Sequence, residues 1–221
     1  MNMKYPNAAK GLNKIYIAEI LSIIAAVLTI VVVILVGANH VDTSISGEEA
    51  VQVLQAANIG TPVVILGIFM ILLMLVGYIM NLIGIINASK DEGAFKQALW
   101  MLLASMVFGI VASALENSNA QVANWLKVPS TLFDLVVTLY VLEGIANLAG
   151  NLGRKEIVDM SRNCRTYLMS ALILSAAAQV FAALGTTGTT LNTTSGIAAG
   201  LLQIVAYVIY LRVLNKARLM Q

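Results

Sequence analysis

The sequence predicts an all-α integral membrane protein, a bundle of six transmembrane helices built from three consecutive helical hairpins. Three observations carry that reading. Of 221 residues, 59% are apolar and only 11% charged, against about 25% charged in an ordinary soluble domain. The apolar residues fall into six long, nearly uncharged runs. All of the 13 Lys and Arg residues except Lys127 fall at the two termini, on alternate connections between those runs, or at the ends of the runs beside them.

Crossing roughly 30 Å of hydrocarbon at about 1.5 Å per residue takes about 20 mostly apolar residues. The stretches that meet this are Ile15 to Val36, Pro62 to Ile86, Phe95 to Leu115, Thr131 to Gly150, Thr166 to Leu184 and Gly196 to Leu214. The first follows Lys4, Lys10 and Lys14 and ends at Val36-Gly37-Ala38, as a signal peptide would. Its apolar core of about 22 residues exceeds the 7 to 15 of a signal peptide, so it is read as a retained anchor. Ser46-Gly47-Glu48-Glu49 has capping-box spacing, and a short surface helix is expected to follow through Ala57. The second span carries Met70, Met74 and Met80, thioethers that pack well but make a poor metal site without His or Cys. Pro6, Pro62 and Pro129 are all expected outside helix interiors. The uncharged run Gly185 to Thr194 reads as a loop, within which Asn192-Thr193-Thr194 fits a glycosylation acceptor. The runs are continuous and much longer than the alternating segments of about ten residues in a membrane β-barrel.

Placing the N-terminus in the cytoplasm puts Lys4, Lys10 and Lys14, then Lys90 and Lys96, then Arg154, Lys155, Arg162 and Arg165, then Arg212, Lys216 and Arg218 on the inner side. Positive segments resist translocation, so this distribution predicts both termini cytoplasmic. The expected location is a bacterial cytoplasmic (plasma) membrane. Trp125 falls where an outer interfacial anchor belongs.

Small and polar residues recur at alternating steps of three and four. Glu19, Ser22, Ala26 and Thr29 form such a stripe, as do Gly67, Met70, Met74, Gly77, Asn81 and Gly84. Ala98, Leu102, Ser105, Gly109 and Ala112 form a third, and Ala171, Ser175, Ala178, Ala182 and Gly185 a fourth. Lipid tails are as apolar as leucine, so membrane helices associate where small side chains let backbones approach. A compact bundle is expected, with no wide aqueous pore. The even spans align on Gly84-Ile85-Ile86-Asn87, Gly144-Ile145-Ala146-Asn147 and Arg212-Val213-Leu214-Asn215, and the odd spans on Ser22, Ser105 and Ser175. That alignment is the basis for three hairpins; chance similarity among apolar segments is the alternative.

Ionisable groups are costly in a bilayer and face the bundle interior or snorkel. The spans hold Glu19, Asp134, Glu143 and Arg212. Glu143 is the deepest, with Asn147 one turn and Asn151 two turns further along the same face. Asp134, nine residues away, falls on the opposite face at about 100° per residue. One reading makes Glu143, Asn147, Asn81 and Gln179 a polar site for a proton, a cation or a small solute. The other pairs Glu143 with Arg212, leaves Glu19 to Lys14 or the interface, and treats the amides as interhelical hydrogen-bonding glue. Asn7-Ala8-Ala9-Lys10, Asn87-Ala88-Ser89-Lys90 and Asn215-Lys216-Ala217-Arg218 share a pattern at the cytoplasmic edge. It reads either as a docking surface for a partner or anionic lipid, or as a helix end with a basic flank.

No enzyme is expected. The single histidine, His40, is in an outer connection, there is no H-E-x-x-H helix, and Asp134 is the lone aspartate within a span. No nucleotide-binding G-x-x-x-x-G-K-[ST] loop occurs, Cys164 has no partner for a disulfide or zinc site, and no cofactor is implied. The basic residues flank spans without an aromatic groove, which gives nucleic-acid binding no support, and no nucleic acid is expected as a partner. Two function classes remain: a small transport or solute-binding membrane subunit, and a non-catalytic interaction component that assembles with other membrane subunits. Six helices with both ends inside resemble the architecture of the substrate-binding subunits of energy-coupling-factor vitamin transporters. That resemblance implies solute binding, and with no binding motif of that family present it carries over no residue. A cavity reaching Glu143 favours transport; a solid core with uncovered Gly and Ala faces favours assembly.

Overall fold

A computed structural model describes residues 4–38, 60–115, 118, 120–183 and 189–220. These form six helices: α1 (Pro6–Ala38), α2 (Gly60–Ala88), α3 (Gly93–Leu115), α4 (Ala120–Asn151), α5 (Lys155–Ala183) and α6 (Thr189–Arg218), with no strand among the described residues. Four of the helices are long and apolar enough to cross a membrane, over Pro6–Val32, Val63–Ala88, Gly93–Leu115 and Leu132–Asn151. Their surfaces present Ile65, Ile68, Ile71, Val107 and Ile110 in exposed positions, an apolar area suited to lipid and unsuited to water. The protein is membrane-embedded. The expected spans Thr166 to Leu184 and Gly196 to Leu214 run partly through side chains outside the described residues.

Pro6 opens α1 and Pro62 lies in the first turn of α2, where a missing backbone donor does no harm. Pro129 departs from expectation, because it lies inside α4. Residues 120–128 continue as helix, and prolines are tolerated within membrane helices when neighbouring groups satisfy the freed carbonyl. The Thr-rich segment also differs: α6 begins at Thr189, so Thr189 to Thr194 are helical where a loop was expected. The expected surface helix after Ser46 lies outside the described residues.

The chain divides into two compact units, Lys14–Leu82 and Met1–Asn13 with Ile83–Gln221. In the first, α1 meets α2 at Gly77, where an added Cβ would stand 3.4 Å from the Ala18 carbonyl oxygen and 3.6 Å from Leu21 Cβ. Thr29 Oγ1 lies 3.5 Å from Met70 Sδ. The seam on α2 is interrupted: Met74 is exposed, and nothing lies within 4 Å of a Cβ at Gly67.

In the second unit the start of α1 is held by the turn before α3. Asp91 Oδ2 accepts from the Ala8 amide at 2.7 Å, and Asp91 Oδ1 accepts from Asn7 Nδ2 at 3.0 Å. A carboxylate thereby satisfies one of the donors that a helix start leaves open. Gly11 packs so closely that a Cβ would stand 2.5 Å from the Gly84 carbonyl oxygen and 2.9 Å from Ala88 Cβ. The small residues Ala8, Ala88 and Ala217 of the three Asn-containing edge motifs are all fully buried.

The stripe expected on the third span is the packed face of α3: Ala98, Leu102, Ser105 and Ala112 are buried, and a Cβ at Gly109 would reach Ser130 Oγ at 3.5 Å. Phe95, fully buried, lies against Gly144 of α4, where a Cβ would stand 2.5 Å from its ring. On α5 the buried stripe is Ile157, Ser161, Cys164, Leu168 and Ala171; on α6 it is Ala206, Tyr210, Val213 and Ala217. Cys164 Sγ donates to the Ala206 carbonyl at 3.3 Å, and Glu156 pairs with Lys216 nearer the helix ends. Of the internal alignment, Ile85, Ile145 and Val213 share complete burial, whereas Ser105 is buried and Ser22 exposed.

Two close approaches should be intolerant of a single methyl group. Gly11→Ala meets backbone and Gly144→Ala meets a buried ring, so each is expected to cost about 1–3 kcal/mol through overpacking. Gly67→Ala meets open space inside a helix and should hold or slightly raise the detergent-solubilised melting temperature; thermal unfolding of the three variants checks the order.

Candidate functional site

The polar stripe of α4 continues to the end of that helix, and the chain then turns back on itself. Gly153 has φ of +70°, a left-handed conformation that costs an L side chain and suits glycine. The Arg154 amide donates to the Ala149 carbonyl at 2.8 Å and the Gly153 amide to the Gly150 carbonyl at 3.1 Å. This paired arrangement is a Schellman motif, which satisfies carbonyls that a helix end leaves open. α5 therefore starts at Lys155, eleven residues before the apolar run, and its charged first turns lie beside α4.

Between them is a cleft of about 610 Å³ lined by Glu92, Leu142, Glu143, Ala146, Asn147, Gly150, Asn151, Val158, Ser161, Arg162 and Arg165. Arg165 Nη1 donates to Glu143 Oε2 at 3.3 Å. Asn147 Nδ2 donates to Glu92 Oε1 at 3.0 Å, so the turn that caps α1 through Asp91 also reaches the cleft through its next residue. Ser161 Oγ is buried with no hydrogen-bond partner. Arg162 is exposed, with no side-chain partner among the described residues. Lys4 Nζ donates to the Asn151 carbonyl at 3.2 Å. Two carboxylates, two guanidiniums, two amides and a hydroxyl thus surround an apolar wall of Leu142, Ala146 and Val158.

Of the residues singled out from sequence, Glu143 and Asn147 line this cleft. Asn81 and Glu19 are half-buried in the unit Lys14–Leu82 and are not among its lining residues. Arg212 is exposed on α6 and does not line it either. The side chain of Gln179 lies outside the described residues. The pairing of Glu143 with Arg212 is corrected: Arg165 is the partner, because α5 extends far enough below its apolar run to bring that guanidinium alongside α4. Sequence reasoning missed Glu92, Ser161, Arg162 and Arg165, having assigned the arginines to a basic flank. The signal was present in the stripe Ile157, Ser161, Cys164, Leu168, Ala171, whose steps of four and three begin well before Thr166 and put Ser161 on a packed face.

A second polar cluster sits on the other side of α4. Ser105 Oγ donates to Asp134 Oδ1 at 2.6 Å and lies 3.2 Å from Ser130 Oγ, and Ser130 Oγ donates to the Ser105 carbonyl at 3.1 Å; among the described residues Asp134 makes no ion pair. Its hydroxyls and carboxylate are spent on one another, and it joins α3 to α4.

The Glu143–Arg165 pair is 38% and 51% exposed, respectively. Ion pairs exposed to this degree in water couple by about 0.2–1 kcal/mol and weaken with salt. A double-mutant cycle with Glu143→Gln and Arg165→Gln, read by denaturant unfolding in detergent, should return that value. The same cycle with Arg212→Gln should return none. Compared with protein-family models, curated proteins and solved structures, the chain matches none.

Proposed function

We propose that this chain is a small transport or solute-binding membrane subunit whose binding place is the cleft between α4 and α5. The observation that supports the reading is a cavity that reaches Glu143: its volume of about 610 Å³ falls within the roughly 300–1,000 Å³ of small-molecule sites, with convergent polar groups and a lining more polar than apolar. The rival reading, an assembly component, requires small-residue faces left uncovered. Gly11, Gly77, Gly144, Ala98 and Ala112 are packed against this chain's own helices, which among the described residues leaves Gly67, Ser22 and Ala26 as the uncovered small residues of these stripes.

In this proposal six spans, paired as three hairpins, lie in a bacterial plasma membrane with both termini cytoplasmic. The basic residues of the α4–α5 connection then place the cleft mouth on the cytoplasmic side. With no nucleotide-hydrolysing loop in this sequence, movement of a solute would draw on an ion gradient or on other membrane subunits. The chain itself is assigned no catalysis.

Native mass spectrometry of the purified protein tests the reading. A retained small solute is expected, released by Ala146→Trp, which fills the cleft, and weakened by Glu143→Gln. Retention of nothing, or of a solute indifferent to both substitutions, would overturn it. For topology, single cysteines at positions 4 and 219 in a Cys164→Ser background should react with an impermeant maleimide from the same side of sealed vesicles.

A further inference from the structure

The charged groups of the cleft are not equivalent. Glu143 and Arg165 neutralise one another at 3.3 Å. Glu92 accepts one hydrogen bond from the neutral Asn147 amide and keeps its second oxygen open. The Arg162 guanidinium has no partner among the described residues. Among the described residues, therefore, one unpaired charge of each sign faces the same cleft, and neither is engaged in an ion pair. Beside Arg162 in sequence, Ser161 is 1% exposed and its Oγ makes no hydrogen bond. Buried hydroxyls without partners are uncommon, and one that borders a cavity marks a place where a polar group of a ligand is missing.

From this we infer that the cleft takes a zwitterion, a free α-amino acid with an apolar side chain; the inference rests on the cleft being a solute site. Arg162 offers a forked donor matched to a carboxylate, and the Ser161 hydroxyl supplies a further donor beside it. The open oxygen of Glu92, together with the second oxygen of Glu143, accepts from the ammonium group. Val158 and Ala146, both half-buried, give the side chain an apolar wall. An anion alone would leave Glu92 uncompensated, and a cation alone would leave Arg162 so. An uncharged sugar would compensate neither. Only a ligand carrying both charges neutralises both groups without adding net charge to a site that already sums to zero.

Binding to the purified protein in lipid nanodiscs would be measured by calorimetry for L-leucine and L-phenylalanine. The two halves of leucine serve as controls: isopentylamine lacks the carboxylate and 4-methylpentanoate lacks the ammonium. At least one amino acid is expected to bind, with each half-molecule weaker by about tenfold or more, the loss of one charge-assisted contact. Arg162→Gln should weaken the amino acid by a similar factor and leave isopentylamine unaffected. Glu92→Gln should do the converse and spare 4-methylpentanoate. That reciprocal pattern distinguishes ligand contact from misfolding, which would weaken all probes together. If 4-methylpentanoate binds as well as leucine and Glu92→Gln changes nothing, the site is an anion site and the inference falls. Isopentylamine binding as well as leucine, with Arg162→Gln silent, overturns it in favour of a cation site. A retained solute that Ala146→Trp releases, with no amino acid bound, overturns the zwitterion and leaves the solute-binding reading standing; retention of no solute at all removes both.

Discussion

The contact of Gly144 with the ring of Phe95 sets the rotation of α4, and the position of every polar group at the cleft follows from it. A Cβ at Gly144 would stand 2.5 Å from that ring, and Phe95 is fully buried, so neither partner has room to yield. With this face of α4 pressed on α3, Glu143 is turned about 100° away from it, toward α5. Asn147 and Asn151 follow at intervals of one turn. Lipid gives the helix no preference about which apolar side it buries, so the missing side chain at a single glycine decides the direction in which a carboxylate points.

The other wall depends on a backbone conformation. Gly153 in the left-handed region closes the end of α4 with two hydrogen bonds and returns the chain at once. Because the return is immediate, the first turns of α5 lie beside the polar end of α4, with their charged side chains exposed. The charges then lie at a half-exposed boundary. Breaking a fully buried pair is severely destabilising, by about 3–5 kcal/mol, whereas a pair as open as Glu143 and Arg165 contributes far less. The cleft is therefore free to exchange the partners of its charged groups without threatening the fold, which a binding site requires.

Much of this was legible in the amino-acid order. Long uncharged runs gave helices and a membrane solvent, and the stripe Ala98, Leu102, Ser105, Ala112 gave the packed face of α3 residue by residue. Glu143 and Asn147 were recognisable because a polar pair one turn apart inside an apolar run is expensive. What was not legible has a common physical cause: hydropathy marks where lipid begins, and a helix does not stop there. α5 extends eleven residues before its apolar run and α4 starts at Ala120, through Pro129. Reading helix ends from the edge of the apolar run hid Ser161, Arg162 and Arg165 from the site and placed Pro129 outside an interior it occupies. Glu92 was invisible for a different reason, since its approach to Asn147 joins residues 55 positions apart.

Glu143 shows why depth along a span is a poor measure of burial. Counted along its run, it is the deepest ionisable group, and at the centre of a bilayer a charge costs about 2.5–3.5 kcal/mol on insertion scales. Yet its side chain is 38% exposed and held by a guanidinium, because the cleft opens on the face of α4 that α3 does not cover. Asp134, half a helical circumference away, is exposed as well, but there its partner is uncharged: α3 supplies Ser105, whose hydroxyl lies 2.6 Å from the carboxylate. One helix thus carries a carboxylate on each side, one engaged by a neighbour's hydroxyl and one left beside a cavity. The Ser105 cluster, one turn from Pro129, and the Phe95 contact hold α3 to α4 at two levels, so α4 cannot rotate to bury Glu143 without breaking both.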